Sequence, residues 1–122
     1  MKIRIKGNSI RFRLTRSEVS DFAKTGIITE KTVLPNKPFF YALEAKSGIQ
    51  ELAAEFLNDT IVIYFPKEYQ KDWAVNKKVG YSNHVSQTDQ EKLSLLVEKD
   101  FTCLDNTVED QSDNYPNPRL KA

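Results

Sequence analysis

One cysteine, Cys103, and one histidine, His84, are the only members of their types in 122 residues. A lone cysteine excludes an intrachain disulfide and fits a reducing compartment, so the cytoplasm is the expected location. The paired spacings of a zinc site are missing, and Asp105-Asn106-Thr107-Val108-Glu109-Asp110 lacks the glycine and ligand order of a calcium loop. No metal and no cofactor is expected. Glycine-rich phosphate loops, serine elbows and histidine zinc motifs are also absent. No run approaches the ~20 apolar residues that cross a bilayer, and no apolar signal stretch opens the chain, so no membrane association is expected. Net charge is scarce as well: 18 Lys and Arg against 17 Asp and Glu leave +1, which argues against general affinity for nucleic acid.

What is present is a soluble globular composition, 39% hydrophobic and 29% charged, in a length that suits one domain. The charges are sorted along it. Residues 1–16 carry Lys2, Arg4, Lys6, Arg11, Arg13 and Arg16 and no acid. Residues 98–113 carry Glu98, Asp100, Asp105, Glu109, Asp110 and Asp113 against Lys99.

The basic segment reads as a hairpin. Gly7-Asn8 suits a tight primed turn, which places Arg4 opposite Arg11, Lys2 opposite Arg13 and Ile3 opposite Phe12. Ile3, Ile5, Ile10, Phe12 and Leu14 then share one face, and the cations share the other. One opposed cation pair about 5 Å apart costs on the order of 3 kcal/mol at an effective dielectric near 20, before screening. Carboxylates from another strand, solvation or an external anion must offset that repulsion.

Thr15-Arg16-Ser17-Glu18 matches a capping box, with Leu14 and Val19 placed as its hydrophobic staple and Gly26 as the stop, which predicts a helix over 16–25. Strands are expected at 27–34, 39–46, 60–65 and 93–104, with 49–57 and 79–85 as weaker candidates. Pro66 opens a short helix carrying Tyr69 and Trp73 one turn apart, a spacing that favours packing over an exposed anchor. Thr88-Asp89-Gln90-Glu91 could cap a further helical turn. No internal repeat is visible. The expected fold is α+β: a mostly antiparallel curled sheet or small barrel of six to seven strands with two short helices. Residues 1–104 form the domain, and 105–122, polar with Pro116 and Pro118, form a draped or disordered tail.

Two stretches, Lys2 to Val19 and Glu98-Lys-Asp-Phe-Thr-Cys-Leu-Asp105, resemble a family of small uncharacterised bacterial proteins, a domain of unknown function. Glu109-Asp110, Asp113 and Tyr115-Pro-Asn-Pro118 look like further signature positions. The resemblance covers essentially the whole chain. It implies a stand-alone bacterial protein and assigns no catalytic role.

Arg4, Arg11, Arg13 and Arg16 are the candidate anion-binding residues, the last three approaching the start of the helix. Glu98 and Asp100 are their candidate charge partners, so strand 93–104 should lie beside the first hairpin. No aromatic residue interleaves the basic row to stack on bases, which again argues against nucleic acid. Cys103 reads as a small core hydrophobe rather than a nucleophile based by His84. The leading expectation is a non-enzymatic binding or interaction module, monomer or homodimer, for a protein or small anionic ligand. The alternative is an enzyme acting on a phosphorylated or carboxylate substrate through an arginine clamp.

Overall fold

A computed structural model describes residues 1–86, 91–101, Asp113 and Tyr115. Strands β1 (Lys2–Lys6) and β2 (Ser9–Leu14) form the first hairpin, with Lys2 opposite Arg13 and Lys6 opposite Ser9. Gly7 sits at φ +54° in its two-residue loop. Helix α1 (Arg16–Thr25) follows at once. The Thr15 side chain accepts from the Glu18 backbone N–H while the Glu18 carboxylate accepts from the Thr15 N–H, a complete capping box. Leu14 and Val19 are fully buried. Gly26, at φ +79°, ends the helix by donating to the Phe22 oxygen at 2.8 Å.

The remaining strands are β3 (Ile27–Val33), β4 (Pro38–Lys46), β5 (Ala53–Leu57), β6 (Thr60–Pro66), β7 (Gly80–Ser86) and β8 (Lys92–Lys99). Helix α2 (Lys67–Gln70) and a 3₁₀ turn (Asp72–Ala74) lie between β6 and β7. The fold is α+β, but the expected mostly antiparallel curled sheet or small barrel of six to seven strands is corrected. Among the described residues there are eight strands in two four-stranded sheets, ordered β1-β2-β8-β7 and β3-β4-β6-β5. Both sheets are mixed, because β2 pairs with β8 and β4 with β6 in parallel. Alternation along a strand cannot specify a parallel neighbour, whose partner arrives by a long crossover.

Two strand boundaries also move. The stretch 49–57 is strand only from Ala53, with Leu52 turned into the core at 2% exposure. The late strand ends at Lys99 instead of 104, after which Phe101 bridges Tyr115. Residues 88–90 of the proposed cap, Cys103 and the tail 105–122, apart from Asp113 and Tyr115, lie outside the described residues.

The fold contains a repeat that the letters hide. The order β1-β2-α1-β3-β4 recurs as β5-β6-α2-β7-β8, and exchanging the halves maps one sheet onto the other. Gly7-Asn8 corresponds to Asn58-Asp59, Ile10 to Ile61 and Phe22 to Trp73. Even the seams between sheets correspond. At one, the Met1 ammonium is held by Glu30 at 2.5 Å and by Glu18. At the other, Asn83 Nδ2 donates to the Leu52 oxygen at 2.8 Å.

This topology gives the molecule two unlike ends. Where β2 and β6 run into α1 and α2, an aromatic cluster fills the space. Phe65 meets the Phe22 ring edge-on at 5.2 Å, stacks on Trp73 at 5.4 Å and meets Tyr81 edge-on at 4.8 Å. Trp73, at helical spacing from Tyr69, is fully buried, whereas Tyr69 stacks on Tyr81 and keeps an exposed side. At the opposite end, where the Gly7-Asn8 and Asn58-Asp59 turns lie, no such plug is found among the described residues.

Candidate functional site

The outward face of the first sheet is set by alternation and register. One cross-strand row reads Arg4, Arg11, Leu96, Ser82, and the next reads Lys2, Arg13, Glu98, Gly80. A third reads Lys6, Ser9, Ser94, His84. The parallel pairing of β2 with β8 brings residues 85 apart in sequence together: Arg13 Nε donates to Glu98 Oε1 at 2.7 Å. The same oxygen stands 3.6 Å from Arg11 Nε. Lys2 Nζ lies 3.3 Å from Asp100 Oδ2, an ion pair whose geometry is not a hydrogen bond.

Two cations remain. Among the described residues, Arg4 and Lys6 make no ion pair, although Arg4 stands opposite Arg11 in the register. Together with Ser9, Arg11 and Leu96 they line a depression of about 180 Å³. It offers three cations and a hydroxyl around a small apolar floor. The cationic rim attracts an anion, and the serine can donate to it.

Arg16 is not part of this depression. It sits at the helix end of the sheet, where its guanidinium lies over the Tyr115 ring at 5.4 Å and its backbone N–H donates to the Asp113 oxygen at 3.1 Å. The N-terminus of α1 is already occupied by an acid of this chain. Asp113 Oδ1 accepts from the Ser17 hydroxyl at 2.8 Å and from the Ser17 N–H at 3.3 Å. Hydrogen bonds from Thr15 and Ser17 hold the Asp113 carboxyl below its usual value, with Arg16 adding a smaller pull. The candidate arginines therefore separate into a depression at Arg4 and Arg11, an ion pair at Arg13 and a helix-end contact at Arg16.

His84 lies on the outward face, and its Nδ1 is 3.0 Å from the Ser94 hydroxyl. No group of three or more His, Cys, Asp or Glu side chains is placed to hold a metal ion among the described residues. No described helix is long and apolar enough to cross a membrane.

Sequence reasoning missed two features. Lys99, at 5% exposure, donates from Nζ to the Asn76 backbone oxygen at 2.7 Å and lies over the rings of Trp73 and Tyr115. Burial pushes its pKa down. It occupies an inward position on β8, which only the register of that strand reveals. The second is an apolar cleft of about 550 Å³ at the turn end, lined by both sheets. Its signal was the inward alternation of Ala54 and Phe56, but nothing local says that their space stays open.

No curated protein and no solved structure matches the chain. A family model does match, over residues 1–119, and the chain belongs to that family, DUF7009, a family of unknown function.

Proposed function

We propose that this chain is a small non-enzymatic binding module of the bacterial cytoplasm whose basic sheet face captures an anionic group of a small ligand or protein. The observation that carries this reading is the absence of a carboxylate partner for Arg4 and Lys6 among the described residues. Glu98 serves Arg11 and Arg13, and Asp100 serves Lys2 at the start of β1, so among the described residues no carboxylate is left for Arg4 and Lys6 further along that strand. An anion in the Arg4–Lys6–Arg11 depression relieves the repulsion between Arg4 and Arg11 as it binds. The described lining holds no carboxylate and no imidazole, so those residues supply attraction and orientation rather than a base.

Thermal unfolding with inorganic phosphate, sulfate and citrate tests the reading. A ligand at 100 times its Kd adds about 2.7 kcal/mol to stability. The midpoint should rise with at least one of the three, and the rise should vanish in the Arg4→Ala/Lys6→Ala double variant but survive Lys37→Ala. No rise with any of the anions, or an equal rise in the double variant, overturns it.

A further inference from the structure

We propose that the open turn end of the molecule binds the alkyl or aryl tail of an anionic amphiphile, whose head group lies at Arg4 and Lys6. This names the ligand class for the basic face and rests on the same two cations.

The tail site follows from the repeat. Ile5 and Phe56, Ile10 and Ile61, and Leu93 and Phe39 are corresponding positions of the two halves, and together they line the cleft. All six point between the sheets, yet none is fully buried. Ile5 is 54% exposed and Phe56 69% exposed. At the helix end the equivalent space is filled by Phe22, Phe65 and Trp73. At the turn end no described side chain fills it. The cleft's volume of about 550 Å³ lies within the ~300–1,000 Å³ of small-molecule sites, and its described lining is apolar apart from Glu55. A ligand without polar groups along its body is what such walls accept.

The head group is decided by charge. Arg4 and Lys6 flank Ile5 on the edge strand β1 and project from its other face, so two cations without carboxylate partners among the described residues stand across the β1 edge from the cleft. The other rim carries Glu55, whose Oε1 already accepts from the Tyr64 hydroxyl at 2.9 Å. An anionic head is drawn to β1 and repelled from β5, while a cationic head meets the reverse.

Calorimetric titration of the full chain with decanoate below its micelle concentration tests this, with decylammonium and inorganic phosphate as comparisons. Decanoate should saturate a single site, and decylammonium should bind at least about tenfold more weakly. Phe56→Ser alters an exposed side chain and should leave the fold intact. It should raise the decanoate Kd by about tenfold or more and leave phosphate binding unchanged. Arg4→Ala/Lys6→Ala should weaken decanoate and phosphate alike. Phosphate binding without decanoate binding overturns the tail site and leaves the anion face standing; binding of neither overturns both. Equal affinity for decylammonium overturns the assignment of the head group. A dimer that Phe56→Ser dissociates also overturns the proposal, because a second copy then fills the cleft.

Discussion

Arg13 and Glu98 form the tightest described cross-strand ion pair of the basic sheet face, at 2.7 Å between Nε and Oε1. Glu98 keeps 17% of its side-chain exposure and also lies near Arg11, so one carboxylate offsets two guanidinium groups. Glu98→Gln should therefore destabilise the fold, by about 1 kcal/mol for a partly exposed pair. Arg4→Gln should have no cost or a small benefit, because it removes the side of the Arg4–Arg11 opposition that has no carboxylate partner among the described residues. Urea midpoints check both, and at 1 M salt the two effects should shrink together.

Gln70, at 6% exposure, donates from Nε2 to the backbone oxygens of Phe22 at 3.0 Å and Ala23 at 3.3 Å. It satisfies carbonyls at the end of α1 from a different helix. Gln70→Leu preserves the apolar stem but removes both bonds, leaving the Phe22 oxygen only the one from Gly26, at an expected cost of about 1–3 kcal/mol. Gly26→Ala, at φ +79° and with its new Cβ 3.3 Å from Gln70 Nε2, should be destabilising at the same junction. Chemical denaturation of the two single variants and the double variant should show non-additivity.

Burial lowers the pKa of Lys99 from the ordinary 10.5. Between the lowered value and 10.5 the unfolded chain binds more protons than the folded one, so this group makes stability rise with pH across that interval. Burial raises the tyrosines Tyr41, Tyr81 and Tyr115 above 10.0, and their contribution is lost as pH rises through those folded values. Lys99→Met should flatten the rise on the alkaline side below about pH 10 while leaving the tyrosine-linked fall in place. At neutral pH it should be neutral or stabilising, since a charge no longer has to be buried. The difference between wild-type and variant urea midpoints across that range reads the effect.

Asp113 titrates in the opposite sense. Its carboxyl is held below the usual 3.8 by Thr15 and Ser17, so its contribution is present above that value and lost as pH falls through the lowered one. Asp113→Asn should weaken stability at neutral pH and converge with wild type in strong acid. Urea midpoints along an acid titration check the convergence.

Leu52 plugs one seam between the sheets, at 2% exposure, and its oxygen accepts from Asn83. Leu52→Ala should cost about 2–5 kcal/mol through the cavity it leaves. Asn83→Ala should cost less, since the Leu52 carbonyl lies at a seam. The ranking, measured by denaturation, separates packing from hydrogen bonding at that seam.

The legible parts of this protein are those whose causes lie within a few residues. Gly7-Asn8 sets the first hairpin and its register; Thr15 with Glu18 starts α1, and Gly26 stops it. Each works through the backbone geometry or hydrogen bonding of its immediate neighbours. The repeat was illegible for a related reason: over residues 2–22 and 53–73 the identities are only Ile10 with Ile61 and Asp21 with Asp72. A hairpin, a helix start and a buried aromatic can each be written in different letters, as Phe22 and Trp73 show, and only the shared topology exposes the match.

By itself, then, the sequence determined the local elements, the sorting of cations and apolar side chains to opposite faces of β1 and β2, and the family. The tertiary structure alone decided that β2 lies parallel to β8 and β4 to β6. It decided that Glu98 serves Arg13 and Arg11 while Arg4 and Lys6 have no carboxylate partner among the described residues. It decided too that the helices fill one end of the molecule and leave an apolar cleft at the other. Parallel neighbours are chosen by burial across the whole chain, and the open cleft by which side chains fall short of it. Neither depends on residues near one another in sequence.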